Sequence, residues 1–125
     1  MTDDVALYEA VGGMPFFEIL VDRFYAGVET DDLLRPLYPE DLQPSRRHLA
    51  LFLAQYWGGP TTYDDERGHP RLRMRHVPFS IGAQERDRWL LHMRAAVAEL
   101  DPPERVTEAL LRYFETGAES LRNRD

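Results

Sequence analysis

Apolar positions recur every three or four residues along most of this chain, which is the period of helices that bury one face. The first clear stripe is Phe16, Phe17, Leu20, Val21, Phe24, Tyr25 and Val28. Gly12-Gly13 ends a short helix ahead of it, and Pro15 suits the first turn of the next, where a missing N–H costs nothing. A second stripe runs from about Ser45 to Trp57, with Leu49, Phe52, Leu53 and Tyr56 on one side, until Gly58-Gly59-Pro60 stops it. A third helix is predicted over 83–100, its stripe formed by Trp89, Leu90, Met93, Ala96, Val97 and Leu100. Asp101-Pro102-Pro103 reads as a stop, followed by the cap and first turn of a fourth main helix carrying Val106, Leu110, Tyr113, Phe114, Gly117 and Leu121. No five-residue stretch alternates apolar and polar, so the chain is read as all-α.

Residues 60–82 break the pattern. Pro60, Pro70 and Pro78 fall in this stretch, and only 70–76 is predicted as a short helix, opened by Pro70 and closed before Pro78. Four main helices with this much irregular backbone are unusual for a simple bundle, which implies that something else organises the irregular part.

Composition narrows the classes. With 125 residues, 43% of them apolar, the chain has material for one compact core, so residues 1–125 are expected to form a single domain. The absence of cysteine excludes disulfides, thiolate metal sites and covalent CxxCH haem attachment, and it fits a reducing, cytoplasmic setting. Met1-Thr2-Asp3-Asp4 is acidic, and no apolar run approaches the roughly 18 residues of a membrane span, so secretion and membrane insertion are not expected. A net charge of -7 argues against nucleic acid as a partner. Positive charge is nonetheless concentrated locally at Arg67, Arg71, Arg73 and Arg75, with His69 and His76 among them.

Of the four histidines, His48 lies beside an apolar stripe, His69 precedes a proline, and His92 follows Trp89 by three residues and flanks the core. His76 differs from these, because it ends a short helical turn four residues after Leu72 and is followed within three residues by Pro78 and Phe79. A neutral imidazole on rigid backbone suits an axial ligand of iron. One histidine alone binds metal weakly, and no HExxH or carboxylate-rich motif accompanies it, so a macrocycle must supply the other ligands if His76 is one. Tyr25, Tyr38 and Trp89 read either as core residues with satisfied polar ends or as donors converging on a bound species of partial negative charge. The arginines read either as a solvated face or as anchors for carboxylates such as haem propionates. Phosphate-binding glycine loops and a GxSxG elbow are absent, which leaves nucleotide binding and hydrolase chemistry unsupported.

Five segments carry a resemblance: Tyr8-Glu9-Ala10-Val11-Gly12-Gly13, Arg23-Phe24-Tyr25, Leu37-Tyr38-Pro39, Phe52 to Pro60 (FLAQYWGGP) and Arg67 to His76 (RGHPRLRMRH). Together they resemble group II truncated haemoglobins, and look like the actinobacterial oxygen-binding branch. The likeness covers residue 8 to about 100; the helix beyond Asp101 rests on periodicity alone. The resemblance implies a truncated globin fold, a two-over-two helical sandwich around haem b, with the irregular stretch before His76 stabilised by the cofactor. It makes His76 the proximal iron ligand and puts Tyr25, Tyr38 and Trp89 on the distal side. Leu49 and Phe52 would wall the distal pocket, and Arg75, His48 and Tyr63 would neighbour the propionates. Segment 40–43 is a residue shorter than the family pattern; Ser45 then takes the small distal position where many globins carry histidine.

The function so implied is reversible binding of dioxygen, and of CO or NO, at an iron with one open position. A hydrogen bond to a charged group contributes roughly 1.5–3 kcal/mol, so two donors would retain dioxygen about a hundredfold better than an apolar pocket. Slow release favours scavenging, sensing or redox chemistry over delivery. The alternatives are a haem-dependent peroxidase or nitric oxide dioxygenase, which would need peroxide or NO and a reductase, and a cofactor-free helical interaction module with the arginines facing an acidic partner. The resemblance also allows a homo-oligomer.

Overall fold

The computed structural model describes residues 3–124, and side chains from residue 7 onward. All regular structure among them is helical: α1 (Asp3–Ala10), α2 (Met14–Glu29), a single 3-10 turn (Arg35–Leu37), α3 (Gln43–Tyr56), α4 (Thr62–Arg67), α5 (Leu72–His76), α6 (Ala83–Leu100) and α7 (Glu104–Ser120). The chain divides into two compact units, each assembled from two separated segments.

The first unit comprises residues 1–23 and 40–70 and holds α1, the first part of α2, α3 and α4. Two of its helices end alike. Gly12 N–H bonds Glu9 O and Gly13 N–H bonds Tyr8 O after α1; Gly58 N–H bonds Gln55 O and Gly59 N–H bonds Ala54 O after α3. Both are Schellman closures, with Gly12 at φ 90° and Gly58 at φ 101°, a region that penalises any residue with a Cβ. The α1 closure lets Tyr8 stack on Phe17 at 5.9 Å, while Tyr8 N–H reaches Trp57 O at 3.2 Å.

The buried face of α3 differs from the predicted one. Ala50, Leu53 and Ala54 are buried, with Trp57 just beyond, whereas Tyr56 is exposed and Leu49 and Phe52 are half-buried. Positions 50, 53, 54 and 57 form a complete i, i+3, i+4, i+7 stripe, and Ala50 and Ala54 are small enough to pack closely on it. The helix also begins at Gln43, two residues before the expected start.

The second unit comprises residues 24–39 and 71–125: the end of α2, the 3-10 turn, α5, α6 and α7. Its core is Phe24, Tyr25, Val28 and Leu34 together with Leu90, Met93, Ala96 and Val97 of α6 and Val106, Leu110 and Phe114 of α7. α6 spans the predicted 83–100 and packs on α7. Its start is fixed by Glu85, whose carboxylate accepts the Gly82 N–H at 2.7 Å. Pro102 and Pro103 precede α7 rather than form its first turn, Pro103 being the residue before Glu104. The predicted stripe of α7 is only partly buried, since Tyr113, Gly117 and Leu121 stay half-exposed.

Three elements were not anticipated as they stand. α4 lies inside the stretch read as irregular, and the 3-10 turn follows α2 without any periodic signal. α5 opens at Leu72, not at Pro70, because Arg71 adopts a left-handed conformation (φ 47°, ψ 52°) that cannot begin a helix.

Candidate functional site

His76 is the last residue of α5, half-buried, with its ring edge-on to Phe79 at 6.4 Å. Its Nδ1 lies 2.6 Å from the carbonyl of Leu72, one helical turn earlier. A carbonyl only accepts, so Nδ1 carries the hydrogen and donates it; in the neutral ring this leaves the lone pair on Nε2. That is the arrangement of a metal-ligating imidazole whose second nitrogen is oriented by backbone. Among the described residues no group of three or more His, Asp or Glu could hold a metal unaided, so His76 needs ligands from elsewhere.

Tyr25, Tyr38 and Trp89 come together within the second unit. Tyr25 is buried on α2 and stands edge-on to Tyr38 at 5.6 Å; Trp89 of α6 lies against Phe24 at 5.1 Å. Trp89 is also hydrogen-bonded to Tyr38. Indole N–H can only donate, so the phenolic oxygen of Tyr38 accepts and its own proton is left to donate. Burial pushes the Tyr38 hydroxyl up to about 12, against the opposing effect of the Trp89 hydrogen bond. Tyr38 is therefore a neutral donor throughout the physiological range.

What brings Tyr38 to α6 is Asp31, a residue that sequence reasoning did not single out. Its side chain is only 2% exposed. One carboxylate oxygen accepts the N–H groups of Leu33 (2.8 Å) and Leu34 (3.1 Å), an Asx-type closure that starts the 3-10 turn leading to Tyr38. The other meets His92 Nε2 at 2.6 Å and Arg88 Nε at 3.3 Å, both on α6 and on either side of Trp89. Burial raises the Asp31 carboxyl, but the His92, Leu34 and Leu33 hydrogen bonds and the Arg88 charge outweigh it and hold it below the usual carboxylate range. The spacing of Asp31 to Leu33 and Leu34 was a readable local signal; a partner 61 residues away was not. His92, read as flanking the core, is this partner.

In the first unit, Ser45, Leu49 and Phe52 occupy positions i, i+4 and i+7 of α3 and are each half-buried, forming a strip beside the buried stripe. Phe52 packs edge-on against Tyr63 of α4 at 5.4 Å, and Tyr63 is 4% exposed. Arg67 lies over the Tyr63 ring at 5.9 Å and within 3.2 Å of His48 Nε2. The structure thus gathers His48, Tyr63 and Arg67, with α4 anchored to α3 by the paired Arg47–Glu66 contacts, one of them 2.7 Å. Arg75 is exposed on α5.

The family model for bacterial-like globins matches residues 6–123. The chain belongs to the bacterial-like globin family. This globin is 40% identical over 118 residues to Group 2 truncated hemoglobin YjbI of Bacillus subtilis, covering 94% of this chain and 89% of the relative. Among solved structures, a thermostable haemoglobin from the actinobacterium Thermobifida fusca shares 56% identity at a TM-score of 0.92, covering 94% of this chain and 96% of the other. The group II truncated haemoglobin of Bacillus anthracis shares 38% identity at a TM-score of 0.90, covering 94% and 90%. The all-helical truncated globin fold and the group II assignment follow from these matches.

Membership of a globin family implies haem, and the donor set of this globin fits one. His76 offers a single neutral nitrogen, as a macrocycle that fills four positions requires. α3 leaves the strip containing Leu49 and Phe52 half-exposed, an apolar face that a flat hydrophobic group would cover. No helix among the described residues is long and apolar enough to cross a membrane.

Proposed function

We propose that this chain is one globin domain that binds haem b through His76 and retains dioxygen, with CO and NO as competing ligands. The observation that carries the reading is the His76 Nδ1 to Leu72 carbonyl hydrogen bond, which leaves Nε2 as a free, oriented base on α5. The family match running from residue 6 to 123 supports a single domain, since one match takes in residues of both compact units. When bound, haem iron supplies an open coordination position for a diatomic ligand.

The remaining chemistry belongs to the chain. Tyr38 offers a neutral O–H whose oxygen is already oriented by the Trp89 N–H, so the pair acts as a preorganised donor toward a ligand of partial negative charge. Tyr25 holds the Tyr38 ring edge-on. Leu49 and Phe52 would supply an apolar wall, and Ser45, one turn before Leu49 on α3, carries a side chain too small to obstruct a ligand there. His48, Tyr63 and Arg67 form a cluster suited to one propionate carboxylate, and Arg75 on α5 is a second guanidinium of the same use. The absence of cysteine supports a cytoplasmic setting. The Bacillus subtilis relative whose structure is described as a truncated oxygen-avid haemoglobin, 39% identical to this chain at a TM-score of 0.89 with 94% and 98% covered, supports retention over delivery.

Stopped-flow oxygen dissociation from the wild-type protein, Tyr38→Phe and Trp89→Phe tests this. A hydrogen bond to a charged ligand contributes roughly 1.5–3 kcal/mol, so Tyr38→Phe is expected to release oxygen at least about tenfold faster. Trp89→Phe is expected to follow it, because it removes the group that orients the phenol. Unchanged rates in both variants would overturn the donor assignment.

A further inference from the structure

α5 presents His76, yet little within α5 accounts for its position. It is five residues long, none of them buried, and it has no side-chain cap; Arg71 before it is left-handed, and Val77 after it is exposed. A helix this short has no stability of its own. Several contacts that hold it come from α7 and the residues after it. Arg73 Nε donates to Ser120 O at 3.1 Å. The amide nitrogen of Asn123 donates to Phe79 O at 2.7 Å and to His76 O at 3.3 Å, while Asn123 Oδ1 accepts the Ile81 N–H at 2.8 Å. In return the backbone N–H groups of Asn123 and Arg124 both reach Ile81 O, at 2.8 and 3.2 Å. Arg124 closes the arrangement with two contacts, 2.9 and 3.0 Å, to the carboxylate of Glu85, the same group that caps α6 at Gly82.

One asparagine therefore satisfies backbone groups at three points, residues 76, 79 and 81, all between the end of α5 and the start of α6. The His76 carbonyl also accepts the Phe79 N–H at 2.9 Å, a local turn; at Phe79 O and the Ile81 N–H the asparagine side chain stands where a helix would supply a backbone partner. Resting on the reading of His76 as the iron ligand, we propose that residues 121–124 form a strap that sets the height and tilt of that ligand, with Asn123 as the positioning residue. Asn123 acts through the carbonyls of His76 and Phe79, which its amide nitrogen bonds. Because Nδ1 of His76 is bonded within α5, any movement of α5 moves the ring with it.

The test is the iron–histidine stretching band of the ferrous, ligand-free haem protein by resonance Raman, together with the rate of haem transfer to excess heme-scavenging apoglobin. Asn123→Ala is expected to shift and broaden the band and to speed haem loss about tenfold, the lower end for losing a group that orients a metal ligand. Asn123→Asp keeps the acceptor for Ile81 N–H and loses the donors to His76 and Phe79, so it is expected to change the band in the same way. It also serves where the alanine variant does not fold. Arg94→Ala removes an ion pair to Glu115 between α6 and α7 that does not touch α5, and is expected to leave the band in place. A band of unchanged position and width in both Asn123 variants, with unchanged haem loss, would overturn the strap. A wild-type protein that binds haem but shows no iron–histidine band would instead overturn the His76 reading on which it rests.

Discussion

Tyr38 keeps its phenolic proton because burial of its hydroxyl pushes it up to about 12, with the Trp89 hydrogen bond working the other way. A group whose folded pKa is raised stabilises the fold fully below its unfolded value, near 10, and that contribution is lost as pH rises through the folded value. Ultraviolet tyrosinate titration is therefore expected to show one component that ionises only above pH 11 and that Tyr38→Phe removes. Asp31 has the opposite sign. Held below the usual carboxylate range, it stabilises above the ordinary aspartate pKa of about 3.9, and the contribution fades as pH falls through its lower folded value. Asp31→Ala leaves His92 without its carboxylate and the Leu33 and Leu34 N–H groups without their acceptor, and is expected to destabilise by about 2 kcal/mol in urea unfolding at pH 7, with the difference shrinking below pH 4. His76, Tyr25, Tyr38 and Trp89 were legible as candidates because their residue types and flanking motifs are distinctive. Asp31 and Asn123 were not, since each acts through backbone groups and partners distant in sequence.

Helix ends and close approaches carry the next level of specificity. Gly27 lies in the interior of α2, where alanine would ordinarily favour the helix by about 1 kcal/mol. A Cβ there would stand 2.3 Å from Nδ1 of His92, whose ring is held by Asp31 and cannot retreat without losing that bond. Overpacking of this kind costs roughly 1–3 kcal/mol, so Gly27→Ala is expected to lower the thermal midpoint by a few degrees rather than raise it. A raised midpoint would mean that His92 is free to move. The long helices were readable because Gly12, Gly58 and the prolines after Leu100 punctuate clean periodicity. α4 and the 3-10 turn were not, because six and three residues are too few to show a period, and α5 was placed two residues early because nothing in Pro70-Arg71 announces a left-handed arginine.

At the scale of the whole chain, the predicted all-helical class holds, and the family match now extends to residue 123, beyond the resemblance that faded near residue 100. Periodicity anticipated α7 as a core helix through Val106, Leu110 and Phe114. Its second use, carrying residues 120–124 back to the segment that bears His76, leaves no mark in the pattern, because hydrogen bonds to backbone carbonyls select no apolar spacing. The proposed haem binding and the strap both depend on His76. The most direct measurement is the absorption spectrum of the hemin-reconstituted wild-type protein and of His76→Gly, oxidised, then reduced with dithionite, then exposed to carbon monoxide, with free imidazole added to the variant. The account predicts a Soret band in the wild type that shifts on reduction and again with carbon monoxide, a lost or altered band in His76→Gly, and its recovery with imidazole. A wild type that takes up no hemin, or a variant whose spectra are the same as the wild type in all three states, would contradict it.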